Sequence, residues 1–340
     1  FAGLGHHVTL YGKAGQSPDD VFTYYGVPPV FDVVRSAQSP LPGLSGLARA
    51  VHTLWNKKPA DLIYGRDLWT MAAVAGGRTP IALELHEIPH TAVQRVLLRR
   101  ILSASTLCAL VVITQGLKAD LLTFAPAFLA HKILVAADGA DLPEGPIVPA
   151  PLAPIAGTNY QAGYGGSLYK GKGIELILQI AKEAPHVGFH IFGGPEAERQ
   201  KWLAQRPPAN IRFYGHVPHA ALKPMLAACD VLMAPYMPAI HIDTGADIAR
   251  WISPLKLFEY MALRKPILCS DLPVLREVMT HGRNAMMVDP AEPQAWAKTL
   301  QELQHNKSLG ASLAAAAYDD LEKRYCWTIR ARNILDFLRG

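Results

Sequence analysis

The feature that most constrains the fold of this chain is the regular alternation of short apolar runs with amphipathic segments. In residues 1–141 the apolar runs have the length of buried strands, and the segments between them repeat their apolar residues at helical spacing. Strands that alternate with helices in this way form parallel sheets with helices on both faces. Strands are predicted near 8–11, 61–64, 81–85, 109–113 and 133–136, and helices near 44–56, 92–103 and 115–124.

A proline-rich segment at 142–157 interrupts the alternation, which then starts again. Neither a helix nor a central strand can run through its prolines, which are Pro143, Pro146, Pro149, Pro151 and Pro154. Beyond it, strands are predicted near 161–165, 188–192, 211–214, 231–234, 266–270 and 285–288, with helices near 173–183, 197–205, 218–228, 253–263 and 293–305. The sequence therefore predicts an α/β protein of two doubly wound, Rossmann-like domains, 1–148 and 149–325, whose strand ends face each other across a cleft.

Composition narrows the classes of function. The 340 residues, of which 50% are hydrophobic, are enough for two domains with their own cores. The net charge of +5 suits the binding of anionic small molecules or of an anionic membrane surface. It is too small for the dense basic patch that is typical of a nucleic-acid binder. The four cysteines form no C-x-x-C pair, which argues against a zinc site and favours a reducing, cytoplasmic location. No window is long and apolar enough to span a bilayer.

The first residues are typical of an element that is already under way. Gly3-Leu4-Gly5 suits a helix end and Val8 to Tyr11 suits a strand, and neither an initiator methionine nor a signal sequence precedes them. We therefore expect that the N-terminal domain lacks its first strand and most of a helix.

The stretch from Ser253 to Asp271 predicts a helix followed by a buried strand. Ser253 suits the N-cap and Pro254 the first helical position. Lys256 and Glu259 lie on one face near the beginning of this helix. Unpaired N–H groups and the positive end of the helix dipole make such a terminus a potential anion site. A capped helix with solvated charges is the alternative that the spacing leaves open.

A second candidate anion site is the glycine-rich loop at 163–173, between a predicted strand and a predicted helix. Glycines such as Gly166 let the backbone approach a ligand closely, and Lys172, near the start of the helix, suits a diphosphate. A turn that needs glycine only for its dihedral angles is the alternative, because a glycine-rich loop alone is a weak signal.

The segment S-P-L-K-L-F-E-Y-M-A, with the following K-P-I and S-D-L-P-V-L-R-E-V, resembles the donor-nucleotide segment of the family 4 glycosyltransferases, which have the GT-B fold. The resemblance implies a retaining, metal-independent hexosyltransferase of glycan biosynthesis. Such an enzyme moves a sugar from a nucleotide-diphosphate donor to a glycan, lipid or small-molecule acceptor. The resemblance also implies that a C-terminal helix, at 326–340, packs back on the first domain.

The resemblance assigns donor-binding roles residue by residue. Lys172 matches the phosphate-binding lysine of the family, and Glu259 matches the glutamate that contacts the ribose hydroxyls. Ser167 stands where the family usually has arginine, so one expected phosphate cation is absent or supplied elsewhere. The expected donor-binding residues are Gly166, Ser167, Lys172, Gly193, Ser253, Leu255, Lys256 and Glu259.

Two further positions bear on the chemistry. Trp251 occupies the place of the family's other glutamate, which contacts the donor sugar, and an indole cannot accept hydrogen bonds as a carboxylate does. Asp243 or Asp247 is a candidate substitute, although a role in capping or solvating the loop is the more common one. His86 matches a histidine near the sugar and phosphate of the donor and is the expected catalytic residue; a structural histidine is the alternative.

The sequence predicts neither a metal nor a cofactor. It contains no D-x-D triplet and no cluster with metal-ligand spacing, so Lys172 and helix dipoles are expected to neutralise the departing diphosphate. The expected partners are a nucleotide-sugar donor and a glycan or lipid-linked acceptor, without nucleic acid. The basic amphipathic segment at 94–102 is compatible with peripheral contact at the inner face of the cell membrane, and packing on the sheet is the alternative.

Two other classes of protein remain open at this point. One is another enzyme of the same fold, such as a sugar-nucleotide epimerase or a phosphorylase. The other is a non-catalytic nucleotide-sugar binding module, which the departures at Ser167 and Trp251 favour.

Overall fold

The computed structural model describes residues 1–13, 20–36, 45–239 and 249–340. The described chain divides into two compact units. The first contains Phe1–Ala137 and Thr328–Gly340, and the second contains Asp138–Trp327. The sequence-based boundary after residue 148 lies inside the second unit, because the chain at 138–157 belongs to that unit; Ala150, for example, donates its N–H to the carbonyl of Pro224 at 3.0 Å.

The first unit contains a four-stranded parallel sheet in the order β3-β4-β5-β6 and a separate parallel pair, β1-β2. Its strands are β1 (Thr9–Lys13), β2 (Asp32–Ser36), β3 (Ile63–Gly65), β4 (Ile81–Leu85), β5 (Leu107–Val112) and β6 (Ile133–Val135). Its helices are α1 (Val21–Tyr25), α2 (Ser45–Asn56), α3 (Leu68–Val74), α4 (Ala92–Leu102) and α5 (Gln115–Phe124). The central strand β4 is buried along its whole length, which explains why four of its five residues are apolar; the exception is Glu84.

Three elements of this unit were not predicted. The strand β2 is only partly buried, so it lacks the continuous apolar run of a central strand. The helices α1 and α3 are too short for a clear periodic pattern, although an aspartate caps the N-terminus of each. The carboxylate of Asp20 accepts hydrogen bonds from the backbone of Phe22 and Thr23, and that of Asp67 accepts one from the backbone of Thr70 at 3.0 Å.

The second unit contains a six-stranded, all-parallel sheet in the order β12-β11-β10-β7-β8-β9. The strands are β7 (Tyr160–Gly165), β8 (Val187–Phe192), β9 (Ile211–Gly215), β10 (Val231–Ala234), β11 (Ile267–Ser270) and β12 (Met286–Val288). The helices are α6 (Ile174–Glu183), α7 (Glu196–Ala204), α8 (His219–Ala227), α9 (Leu255–Ala262), α10 (Pro293–His305) and α11 (Lys307–Asp320). Both units are thus α/β with parallel sheets, as predicted.

The strand order of the second unit fixes where a ligand can bind. From β7 the chain adds β8 and β9 on one side, and it then returns to place β10 against the other side of β7. The connections after β7 and after β10 therefore leave in opposite directions and open a crevice outside the carboxyl ends of these two strands. In open α/β sheets such a switch point is the usual place for a ligand.

The C-terminal region is helical, as predicted, but it is not one helix. After α11 comes a short π-helical turn at Leu321–Tyr325. The next residue, Cys326, has an extended backbone and separates this turn from α12 (Trp327–Arg339). From Thr328 onward α12 belongs to the first unit, where Ile334 is buried against Val111 and Ala136. No helix in the described part of the chain is long and apolar enough to cross a membrane.

Ile334→Ala is expected to lower the free energy of unfolding of the first unit by about 2–5 kcal/mol, because Ile334 is 1% exposed and its removal leaves a cavity. Urea denaturation measures this change. Arg339→Ala, in the exposed last turn of the same helix, is the control and is expected to change the stability by less than about 0.5 kcal/mol. Equal effects of the two substitutions would contradict the packing of α12 described here.

Candidate functional site

Several loops of the second unit meet at the switch point of the sheet. Gly166 follows β7, Gly193 follows β8, and Tyr236 comes shortly after β10. The backbone of these loops is tied together, since the N–H of Gly166 donates to Phe192 at 2.9 Å and that of Gly193 donates to Gly215 at 2.7 Å. The predicted loop residues Gly166 and Gly193 therefore lie side by side at the end of the sheet.

Glycine is required at two of these positions. Gly193 has a φ of +111°, and a Cβ atom there would overlap the carbonyl oxygen of Gly166. Gly173, which precedes α6, has a φ of +92°, and a Cβ atom there would overlap the carbonyl oxygen of Pro235. The loops after β7, β8 and β10 can pack this closely only because these side chains are absent.

Lys256, in the first turn of α9, is the most unusual residue of this site. It is 9% exposed, and its Nζ has no hydrogen-bond partner among the described residues. The Nζ lies 3.6 Å from the ring centroid of Tyr164 and 5.0 Å from that of Tyr236. Burial of an ammonium group without acceptors costs free energy, so an anionic group that pairs with it would stabilise this site.

A second cation, Lys172, lies at the same place. Its Nζ is 5.8 Å from the ring centroid of Tyr236, so this one ring borders both ammonium groups. Burial lowers the pKa of Lys172 below its usual value. Burial also lowers the pKa of Lys256 well below its usual value; the charge of Lys172 lowers it further, and Glu259 opposes the shift. Two partly desolvated cations that destabilise each other favour binding of a multiply charged anion.

The hydroxyl groups of Tyr164 and Tyr260, which the sequence did not identify as part of the site, bind the backbone around it. The hydroxyl of Tyr164 donates to the carbonyl of Ser167 at 2.7 Å. The hydroxyl of Tyr260, on α9, accepts the N–H of Gly165 at 2.8 Å and donates to the carbonyl of Met233 at 3.3 Å. Tyr260 thus joins α9 to the ends of β7 and β10. For Tyr164 the available signal was a tyrosine near the end of a strand, and for Tyr260 a tyrosine on the apolar face of a helix; such patterns are usually assigned to the core.

The prediction that Ser253 caps α9 is wrong. The helix begins at Leu255, its N-cap residue is Pro254, and it has no side-chain cap. The Oγ of Ser253 instead accepts the N–H of Asp138 at 3.2 Å, and the carbonyl of Ser253 accepts the N–H of Leu255 in a tight turn. Pro254 has a φ of −84° and a ψ of 66°, which lie outside the helical region, so the helix begins only after it.

The remaining predicted residues of the second unit are placed as follows. Glu259 is half-buried on α9, one turn after Lys256, and acts electrostatically on Tyr236. Leu255 is 47% exposed at the beginning of the helix. Trp251 is half-buried just after residues 240–248, so the candidate substitutes Asp243 and Asp247 lie outside the described residues. The site as described thus combines Gly166, Lys172, Gly193 and Lys256 and leaves the predicted sugar contact unassigned.

His86, in the first unit, belongs to a buried polar network at the end of β4. Its Nε2 lies 2.6 Å from a carboxylate oxygen of Glu84. The other oxygen of Glu84 accepts hydrogen bonds from the hydroxyl of Tyr64 and from the guanidinium of Arg330, the latter at 3.0 Å. Arg330 also donates to the carbonyl of Ala137 at 3.0 Å, so the network joins α12 to this strand.

The carboxylate of Glu84 remains ionised although it is 7% exposed. Burial raises its pKa, but the hydrogen bond from His86, the charge of Arg330 and the hydrogen bond from Tyr64 outweigh burial and hold the pKa at about 2. An ionised carboxylate can only accept, so His86 carries its proton on Nε2 and leaves Nδ1 as an acceptor when the ring is neutral.

Comparison with known proteins agrees with this fold. Residues 160–306 match the family model described as glycosyl transferases group 1. The predicted resemblance to the family 4 glycosyltransferases of the GT-B fold is thereby confirmed. The matched segment contains Gly166, Lys172, Lys256 and Glu259.

Relatives and solved structures extend the comparison. A phosphatidyl-myo-inositol mannosyltransferase of Mycobacterium tuberculosis is 28% identical over 172 residues, which cover 48% of this chain and 42% of that protein. The chain therefore spans less than half the length of the curated relatives that it matches. Sucrose-phosphate synthase from Thermosynechococcus elongatus has a similar fold, with a TM-score of 0.74 and 16% identity over 99% of this chain and 90% of that one. The Anabaena protein HepE, in complex with UDP-glucose, gives a TM-score of 0.70 and 18% identity over 98% and 100%.

The ion pairs of Glu84 predict a pH-dependent contribution to stability. Because the pKa of Glu84 is lowered to about 2 in the folded chain, its contribution is complete above the pKa of the unfolded chain and is lost as the pH falls toward 2. Glu84→Gln is expected to lower the free energy of unfolding by about 3 kcal/mol at pH 7, and by progressively less between pH 5 and pH 3. Urea melts at each pH measure this difference, with Glu87→Gln as the control. A difference that is constant with pH would contradict the ionised state.

Proposed function

We propose that the chain is a retaining, metal-independent glycosyltransferase of the hexosyltransferase type that uses a nucleotide-diphosphate sugar as donor. The observation that carries the proposal is the buried Nζ of Lys256, which has no hydrogen-bond partner among the described residues and lies beside Lys172. Its position at the switch point of a parallel sheet, within the segment that matches the glycosyl transferases group 1 family model, supports a nucleotide diphosphate as the ligand.

The leaving group of such a reaction is a nucleoside diphosphate, whose negative charge grows as the glycosidic bond breaks. Lys172 and Lys256 supply cations for this charge without a metal, and each charge-assisted hydrogen bond is worth about 1.5–3 kcal/mol. The short side chain of Ser167 and the glycines beside it leave the Nζ of Lys256 close to the loop, since a Cβ atom on Gly166 would lie 3.2 Å from it. We infer that Lys256 supplies the cation that Ser167 does not. Retention of the anomeric configuration is supported by the family resemblance.

Glu259 is the proposed contact for the ribose. It lies on the same helix as Lys256, about one turn closer to the C-terminus of α9, and it is half-buried. A carboxylate in this position can accept hydrogen bonds from two ribose hydroxyls while the diphosphate lies toward the lysines. The backbone at Ser253 and Leu255, at the positive end of α9, is proposed to contact the diphosphate as well.

His86 is the proposed catalytic residue in the first unit. Its hydrogen bond to Glu84 fixes the ring and leaves Nδ1 able to accept a hydrogen bond from a sugar hydroxyl or an acceptor. This role is carried over from the family resemblance, and the ordered ring of His86 supports it.

The proposed acceptor is a glycan, a lipid or a small molecule. A lipid is supported by the printed name of the phosphatidyl-myo-inositol mannosyltransferase relative. The basic amphipathic helix α4 has its apolar residues Leu98, Ile101 and Leu102 buried, which favours packing on the sheet, whereas Val93 and Val96 are exposed. The proposal includes a cytoplasmic location, supported by four free cysteines, with peripheral contact at the inner face of the membrane.

A non-catalytic nucleotide-sugar binding module is the second candidate. It is favoured by one observation, that Trp251 stands where the family has the glutamate that contacts the donor sugar. Such a module would bind donor at the same lysines and would neither hydrolyse nor transfer the sugar.

The proposal predicts that one of UDP, GDP and ADP binds with micromolar affinity in EDTA, and isothermal titration measures this. Lys256→Met and Lys172→Met are each expected to weaken binding about 10- to 100-fold, because each removes a charge-assisted hydrogen bond. Lys201→Met is the matched control, since this lysine is exposed in the same unit and pairs with Glu198; its affinity is expected to equal that of the wild type.

The outcomes separate the candidate functions. Turnover of the matching nucleotide sugar in EDTA, with the anomeric configuration of the product retained by NMR, supports the transferase. Binding without turnover on any acceptor supports the module. Absence of binding by all three nucleotides, or equal affinities of the Lys256 and Lys201 variants, contradicts the proposal.

A further inference from the structure

The surroundings of Lys256 contain an arrangement that the proposed function does not by itself require. The ammonium group lies against the face of Tyr164, at 3.6 Å from the ring centroid, and near that of Tyr236, at 5.0 Å. Its charged neighbours are Lys172, which disfavours the charge, and Glu259, which favours it. Two aromatic faces are thus close and favourable contacts of this cation.

An aromatic face stabilises a cation in a different way from a carboxylate. The ring attracts the positive charge through its quadrupole, and it neither neutralises that charge nor occupies the N–H donors in strong hydrogen bonds. A carboxylate in contact with Lys256 would do both, and it would compete with an anionic ligand. The two rings therefore keep the full charge and the donors of Lys256 available.

Both rings are buried. Tyr164 is 1% exposed, and its hydroxyl donates to the carbonyl of Ser167. Tyr236 is 4% exposed, and its N–H donates to the carbonyl of Ala234 at 3.0 Å in the turn that follows β10. The ring of Tyr236 also borders Lys172, at 5.8 Å from its Nζ, so this one ring attracts both charges.

We propose that Tyr236 and Tyr164 are positioning residues that hold the ammonium group of Lys256 charged and with its N–H donors directed to the diphosphate of the donor. This inference rests on the proposed function, because it assigns the ligand of Lys256 to a nucleotide diphosphate. It adds that the affinity of the site depends on the electron density of these rings as well as on the two lysines.

The first test compares Tyr236→Phe with Tyr236→Leu by titration with the nucleotide that the wild type binds, between pH 6.5 and pH 9. Tyr236→Phe keeps the aromatic face and is expected to stay within about twofold of the wild type. Tyr236→Leu is expected to bind about tenfold more weakly at pH 8, and the gap should widen as the pH rises. The reason is that loss of the aromatic face lowers the pKa of Lys256 further, so its charge is lost at a lower pH.

The second test keeps the shape of the side chain and guards against misfolding of the leucine variant. Phenylalanine and its mono-, di- and trifluorinated forms are introduced at position 236, because each fluorine weakens the attraction of the ring for a cation. The affinity for the nucleotide at pH 8.5 is expected to fall stepwise with the number of fluorine atoms. In the Lys256→Met background the same series is expected to have a clearly smaller effect.

These outcomes distinguish the failure of this inference from that of the proposed function. If the wild type binds no nucleoside diphosphate, the proposed function itself fails. If the wild type binds and Lys256→Met weakens binding, but the fluorinated series leaves the affinity unchanged, the positioning role of Tyr236 is overturned. A loss in Tyr236→Leu that is the same at every pH would likewise indicate a structural role only.

Discussion

The proposed anion site of the second unit depends on one interaction, the repulsion between two partly desolvated lysines. Lys256 and Lys172 border the same ring, that of Tyr236, at 5.0 and 5.8 Å. Such a pair destabilises the free protein, and it is tolerated because aromatic faces offset part of the cost and because an anion can offset the rest. We propose that binding of a multiply charged ligand recovers the free energy that this repulsion costs, because binding sites commonly keep such destabilised groups.

The backbone around this pair is arranged to bring it to the end of the sheet. The reversal of strand order between β7 and β10 opens the crevice, and the hydroxyl of Tyr260 joins α9 to the ends of both strands. Gly173 and Gly193 let the neighbouring loops close over one another, because any side chain there would overlap a carbonyl oxygen. The sheet and the glycine-containing loops at its end therefore position the two lysines together.

Much of the fold could be predicted because the core strands are buried on both faces; β4 and β10 agree with their predicted bounds. The strand β2 was not predicted because its partial burial leaves no continuous apolar run in the sequence. The predicted cap of α9 was wrong because the helix begins only after Pro254. Lys172 and Lys256 could be found from motif and family resemblance. The aromatic faces around them could not, because the contact between Tyr164 and Lys256 joins residues far apart in sequence and only tertiary packing creates it.

The most direct measurement of the central claim is a crystal structure of the protein with the nucleoside diphosphate that it binds, grown in EDTA. A phosphate oxygen is expected at about 2.7–3.2 Å from the Nζ of Lys256 and another within hydrogen-bond reach of Lys172, at the carboxyl ends of β7 and β10. A diphosphate that lies elsewhere in the molecule, or one that leaves the Nζ of Lys256 without a partner, would contradict the account.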